Sequence, residues 1–215
     1  MTKNIITLVS TNTGKRKSLE RALRGLDYEI KTLGLDIIEP QFDSIEEIAT
    51  FKAQQAFSSL KSPLVVNDGG LVIPELNGFP GPYTKYITNT LTCDNILALM
   101  KDCKSRDCYL TQCLIYVDQD GNFHKFQDKV LGTIAEEIST ASNPRSWGTL
   151  WQIFIPKSSE KPLAEISEEE YHTIIRPKAQ TNSVWEDLRN YLLDQTITSA
   201  WYISYFKQIK ITPIE

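Results

Sequence analysis

At 215 residues, with 41% hydrophobic and 23% charged side chains, the chain is long enough for one sizeable α/β domain and has the composition of a folded, not a disordered, protein. Its net charge of -4 argues against a nucleic-acid polymer as partner but leaves small polyanions open, because a few lysines and a divalent cation neutralise a triphosphate whatever the overall balance. No apolar run approaches the roughly 18 residues of a membrane span and no signal-peptide pattern opens the chain, so the expected location is the cytoplasm, with no membrane partner.

Ile5-Ile6-Thr7-Leu8-Val9 is a β-branched run of strand length that ends in Ser10-Thr11-Asn12-Thr13-Gly14-Lys15 before a helical pattern of Leu19, Ala22, Leu23 and Leu26. Tyr28 to Leu35 reads as a second strand. Ser44 is placed to cap a helix from Ile45 to about Leu60, with Glu47 completing a capping box, and Leu64-Val65-Val66 follows as a strand. It delivers Asp68 into Gly69-Gly70, read here as a backbone-permissive turn where a ligand can approach the main chain. Asp94 to Met100 reads as a short helix. Asp118-Gln119-Asp120-Gly121 predicts a hairpin between Tyr109–Val117 and Asn122–Phe126, with Val130–Ile138 continuing the sheet. Ile153-Phe154-Ile155 is a further short strand, Val184–Leu193 a helix, and the pattern after it is ambiguous. Alternating strands and helices followed by hairpins imply an α/β fold with a mixed sheet, and no linker divides residues 1–215 into separate domains.

The chemistry concentrates early. A strand-to-helix turn such as Ser10–Lys15 offers free amides and a helix dipole to phosphate, and Lys15 adds a point charge; the alternative is a capped turn with a solvated lysine. Lys52 lies close to the inward face of its helix, where a lysine either snorkels or meets an anion. Glu39 and Asp68 are two carboxylates that suit magnesium, which is held by one or two carboxylates plus substrate phosphates; Glu46 and Glu47 are rivals that also serve to cap the helix. Cys93, Cys103, Cys108 and Cys113 never form Cys-x-x-Cys and only two histidines are present, which argues against a zinc site and weakens the case for an imidazole-activated serine or cysteine nucleophile.

These motifs resemble the inosine triphosphate pyrophosphatase family, magnesium-dependent enzymes that convert non-standard purine nucleoside triphosphates to the monophosphate and pyrophosphate. Ser10–Lys15 resembles its phosphate loop, Glu39 with Gln41 its metal-binding Glu-x-Gln, Glu47-Ile48 with Lys52-Ala53 its next helix, and Asn67–Leu71 with Gly78–Tyr83 its central signature. The resemblance implies a two-lobed mixed β-sheet with flanking helices around a central cleft, and a homodimer. It implies that Asp68 accepts a proton and binds metal with Glu39, and that Ser10, Thr11, Asn12, Thr13, Gly14, Lys15, Lys52 and Gly69 contact the substrate. The later, base-gripping elements depart from the family. Trp151 stands in place of an aspartate, Tyr171 in place of a lysine, and Arg176 is what remains of a Ser-His-Arg. Trp151 is therefore a candidate base-stacking residue or a core aromatic, and Arg176 a base or phosphate contact or a surface ion pair. Asn67 replaces a frequent glutamate, and Ser18 a glutamate for which Glu20 is a possible substitute. Two further readings remain: a catalytically weak nucleotide- or partner-binding relative, and a pyrophosphatase for a modified pyrimidine nucleotide.

Overall fold

A computed structural model describes residues 4–38, 40–144, 146, 148–167, 169–171 and 183–208, with side chains of the last helix as far as 196. In chain order the elements are β1 (Asn4–Val9), α1 (Thr13–Ala22), β2 (Tyr28–Leu33), α2 (Ile45–Leu60), β3 (Leu64–Val72), α3 (Thr84–Thr90), α4 (Cys93–Leu99), β4 (Asp107–Val117), β5 (Phe123–Ile134), β6 (Phe154–Pro156) and α5 (Val184–Gln208). The six strands form one mixed sheet in the order β2-β1-β3-β4-β5-β6, parallel among the first three and antiparallel from β3 onward.

Strand alternation sends two different apolar sets to the two faces of the upper sheet. On one face, Val9, Leu64, Val66, Cys113, Ile115 and Val117 pack against the Ala49, Ala53 and Ala56 strip of α2. Small residues on that strip let the helix lie close to the strands. On the other, Ile6, Leu8, Val65, Leu114 and Tyr116 meet Leu19 and Leu23 at α1 and Val184, Trp185, Leu188 and Leu192 of α5. A third cluster, built from Leu71, Ile73, Ile96, Met100, Ile134, Trp151, Ile153 and Phe154, forms the core of the lower lobe. The strands β3 and β5 supply both lobes, so the middle of β3 lies where one core gives way to the other.

Two helix boundaries follow from side-chain chemistry already visible in the sequence. Ser44 accepts from the Glu47 amide at 3.1 Å and caps α2, which ends on Lys61 in the left-handed conformation. At α5, Ser183 and Glu186 exchange backbone-to-side-chain bonds of 3.1 and 2.8 Å, a reciprocal capping box. Arg189 of α5 reaches back to the C-terminal end of α1, where Nη1 donates to the carbonyls of Ala22 at 2.5 Å and Arg24 at 2.9 Å.

The structure corrects several expectations. Asp68-Gly69-Gly70 is not a turn but the interior of β3, paired residue by residue with β4 from Leu64↔Val117 to Val72↔Tyr109. β5 runs unbroken through Gln127-Asp128-Lys129 and stops at Ile134, because its full-length pairing with β4 overrides the low strand preference of those polar residues. α3 was not anticipated after the Gly- and Pro-rich signature, and α5 extends well past Leu193.

Candidate active site

β1 ends at Val9, and its pairing with β3 stops at Leu8↔Val65, while β3 runs on to Val72. Among the described residues, the far edge of β3 is consequently free of a neighbouring strand beside the C-terminal end of β1, as far as the bridge between Val72 and Pro80. Into this gap points the Ser10–Lys15 segment. Asn12 is the N-cap of α1, its Oδ1 accepting from the amides of Gly14 at 2.8 Å and Lys15 at 3.1 Å, and its own amide donates to Ser10 Oγ at 3.1 Å. The Thr13-Gly14-Lys15 part of the loop is thus already the first turn of α1, and in this state Asn12 satisfies two of the helix's free donors. Thr11 lies against the chain at Gly34, where a Cβ would come within 2.8 Å of its methyl.

Asp68 is the focus of the gap. Its carboxylate is held by Lys52, with Nζ 3.0 Å from Oδ2 and 3.4 Å from Oδ1, and by Lys15, with Nζ 3.9 Å from Oδ1. The Lys15 ammonium also donates to the main-chain carbonyl of Asn67. The three side chains are 22%, 15% and 28% exposed, shielded enough to strengthen the pairing and open enough to meet a ligand. Among the described residues two ammonium groups meet on this carboxylate, and lysines so placed can also receive phosphate oxygens. Cys113, opposite Asp68 on β4, contributes no nucleophile: burial, aided by the charge of Glu46, pushes its thiol up to about 12.

The open edge continues past Asp68. The Asn67 carbonyl accepts from Lys15 and the Leu71 amide donates to Thr84 Oγ1 at 2.9 Å, so the backbone groups of the intervening Gly69 project into the same gap by strand alternation. Gly69 is exposed. Gly70 is required for a different reason: a Cβ there would stand 2.4 Å from the Gly81 carbonyl, 2.8 Å from Thr84 Oγ1 and 3.0 Å from Ile45 Cδ1. Thr84 Oγ1 also donates to the Gly81 carbonyl at 2.7 Å, so the Phe79–Tyr83 segment is knotted directly onto β3. That segment includes the cis Phe79-Pro80 peptide and Gly81 at φ +52°.

The other sequence candidates divide. Glu39 and Arg176 lie outside the described residues. Glu46 is engaged by Lys125 and by Gln127 at 3.0 Å, and those contacts hold its carboxyl below the usual range. Glu47 accepts from the Ser44 hydroxyl at 2.8 Å at the start of α2, and Glu20 pairs with Arg16 at 2.8 Å on the surface of α1, away from the role suggested for it. Trp151 is 2% exposed in the lower core, its ring parallel to Tyr171 with centroids 5.7 Å apart. Among the described residues no three His, Cys, Asp or Glu side chains cluster as metal ligands. What Asp68 offers is a carboxylate of hard oxygens on a partly exposed side chain, Oδ2 buried against Lys52, which fits magnesium when substrate phosphates complete the shell. Reasoning from sequence passed over Thr84, Gln112 and Asp128; of these only Gln112 left a trace, as a polar residue within the apolar run Tyr109–Val117.

A sequence profile of the Ham1 family matches residues 6–181, most of the chain. The chain belongs to the Ham1 family. Relatives include a dITP/XTP pyrophosphatase of Hyperthermus butylicus, 31% identical over 170 residues, covering 79% of this chain and 87% of that protein. Another is a dITP/XTP pyrophosphatase of Methanopyrus kandleri, 35% identical over 161 residues, with 74% and 82% covered. The fold is that of a HAM1 protein from Coxiella burnetii, with a TM-score of 0.76 at 22% identity over 89% of this chain and 99% of the other. The Staphylococcus aureus Ham1 protein gives a TM-score of 0.73 at 24% identity, over 89% and 100%. The Ham1 match ends at residue 181, before α5 begins.

Proposed function

We propose that this Ham1-family chain hydrolyses a non-standard nucleoside triphosphate to the nucleoside monophosphate and pyrophosphate, in a magnesium-dependent reaction. The observation that carries the reading is the Asp68 carboxylate set between Lys15 and Lys52 at the open edge of β3, beside the capped start of α1. Relatives named dITP/XTP pyrophosphatases support the substrate class. The substrate-contacting set is Ser10, Thr11, Asn12, Thr13, Gly14, Lys15, Lys52 and Gly69, with Arg176 as a base-side candidate; Trp151, buried in the lower core, is not one.

In this reading Lys15 and Lys52 exchange the Asp68 carboxylate for phosphate oxygens, forming stronger charge-assisted bonds as the polyphosphate enters. Freed of its ammonium partners, Asp68 accepts a proton from the water whose oxygen attacks the α-phosphorus. The bond from that phosphorus to the bridging oxygen breaks, and pyrophosphate carries away the electron pair. The lysines stabilise charge building on the leaving oxygens. Asp68 and Glu39, with the substrate phosphates, would hold magnesium, which when bound would supply charge neutralisation and a lowered water pKa.

The buried Trp151 against Tyr171, where the family resemblance places an aspartate and a lysine, favours an altered base preference, since charged hydrogen-bonding partners are exchanged for apolar surface. The 215 residues are proposed to work as one domain of two lobes, as a homodimer in the cytoplasm; among the described residues no helix is long and apolar enough to cross a membrane. The test is pyrophosphate release, with magnesium, from dITP, ITP, XTP, dATP and modified pyrimidine triphosphates. Release confined to a subset of bases supports the reading. No release from any of them, together with measurable nucleotide binding, refutes it in favour of a binding protein.

A further inference from the structure

Across the middle of the sheet, on the face that carries α1 and α5, three register positions stand in a row: Gly69 on β3, Gln112 on β4 and Asp128 on β5. Directly opposed residues project from the same face of an antiparallel pair. A Cβ on Gly69 would meet Gln112 Cγ at 3.2 Å and the Thr111 carbonyl at 2.9 Å, so the space a side chain would need at Gly69 is bordered by the Gln112 stem. Gln112 therefore stands beside the exposed main chain of Gly69 on the α1 side of β3, whereas the neighbouring Asp68 side chain leaves from the α2 side. At the other end of the row, Asp128 is 6% exposed and its Oδ2 accepts from the Val184 amide at 3.3 Å. The chain enters α5 next to this row, where the Val184 amide meets Asp128.

The orientation of the Gln112 carboxamide is set from one side. Its Oε1 takes the Asn67 Nδ2 donor at 3.5 Å, and Asn67, 5% exposed, is itself held by the Cys113 carbonyl at 3.3 Å. With the oxygen turned toward Asn67, Nε2 points away from it, and among the described residues Nε2 has no hydrogen-bond partner. A half-buried amide donor in that position is satisfied by whatever enters the cleft.

We propose that Gln112 is a specificity-determining residue, whose Nε2 donates to an exocyclic carbonyl oxygen of the substrate's base. A base with an amino group at that position would set donor against donor and leave both unsatisfied, whereas an oxo group completes the bond. The inference rests on the nucleotide hydrolase reading and deepens it by naming the group that sorts oxo from amino bases.

The test compares kcat/KM for ITP and ATP in the wild type, Gln112→Leu and Gln112→Glu, alongside dissociation constants for non-hydrolysable imido analogues of both nucleotides. Ratios within one variant cancel any uniform loss from impaired folding. Gln112→Leu is expected to lower the inosine-to-adenosine ratio by about tenfold, the value of one well-placed hydrogen bond. Gln112→Glu is expected to lower it further, because a carboxylate accepts from an amino group and repels an oxo group. Ratios that stay within about twofold of wild type in both variants overturn the proposal. If the wild type releases no pyrophosphate, the hydrolase reading fails by itself, while the analogue dissociation constants still decide the role of Gln112.

Discussion

Thr84→Val tests whether the knot between the signature segment and β3 holds the site together. Valine keeps the shape of threonine and removes one hydroxyl, which here bonds the Leu71 amide at 2.9 Å and the Gly81 carbonyl at 2.7 Å. Thr84 is 3% exposed and Leu71 fully buried, so water does not replace the lost partner without rearrangement. Each orphaned group costs about 1–3 kcal/mol, and the sum is partly offset because the hydroxyl no longer has to be desolvated, giving about 3 kcal/mol. For a chain of this size that lowers Tm by roughly 6–12 °C. Thr84→Ser keeps both bonds and loses a methyl, for about 1 kcal/mol. Thermal unfolding followed by circular dichroism compares the two, and urea titration checks that the slope is unchanged. A valine variant as stable as the serine variant would refute the hydroxyl's role and with it the account of why Gly70 approaches Gly81 so closely.

Asp68→Asn should cut pyrophosphate release by at least about a hundredfold while nucleotide binding persists, measured by coupled phosphate assay and calorimetry; near-normal turnover removes Asp68 from the chemistry. Lys52→Gln should lower kcat/KM by about 10- to 100-fold, with a weaker salt dependence than wild type, as expected when one charge-assisted phosphate contact is lost. Trp151→Ala should destabilise the lower lobe by about 3–5 kcal/mol in urea titration, since the ring is buried in that core. The carboxyl of Asp118 is held at about 2 against an ordinary 3.8: burial works to raise it, but hydrogen bonds from His124, Asn122 and Asp120 prevail. A depressed folded pKa stabilises above the unfolded value, so this contribution is complete above about pH 4 and is lost as pH falls toward about 2. Asp118→Asn should flatten the acid limb of stability against pH in that window, and an unchanged limb would contradict the assignment.

The parts of the fold written in local chemistry were legible. β1, the polar loop, and α2 with its Ser44 cap depend on neighbours a few residues away, and the sequence carries those signals directly. The course of β3 through Asp68-Gly69-Gly70 was not, because the glycines read as a turn until the Gly81 carbonyl and Gln112 are seen to occupy the space of their missing side chains. β5 likewise looked interrupted at Gln127-Asp128-Lys129, yet Asp128 is buried where it accepts from the amide at the start of α5. In the site, Lys15, Lys52 and Asp68 were named from motif spacing, while their convergence within 3.9 Å is a product of tertiary packing. Trp151 offered a choice between base and core that only its environment could inform, and it lies in the core.

The clasp of Arg189 on the carbonyls of Ala22 and Arg24 spans up to 167 positions of chain. During translation, the helix behind the phosphate loop leaves the ribosome long before the residue that satisfies its end, so its closing turn waits, hydrated and incomplete, until position 189 has been made. α5 thereby finishes α1, and a nascent chain interrupted before position 189 would leave the closing turn behind the phosphate loop unsatisfied and open to the cell's proteases.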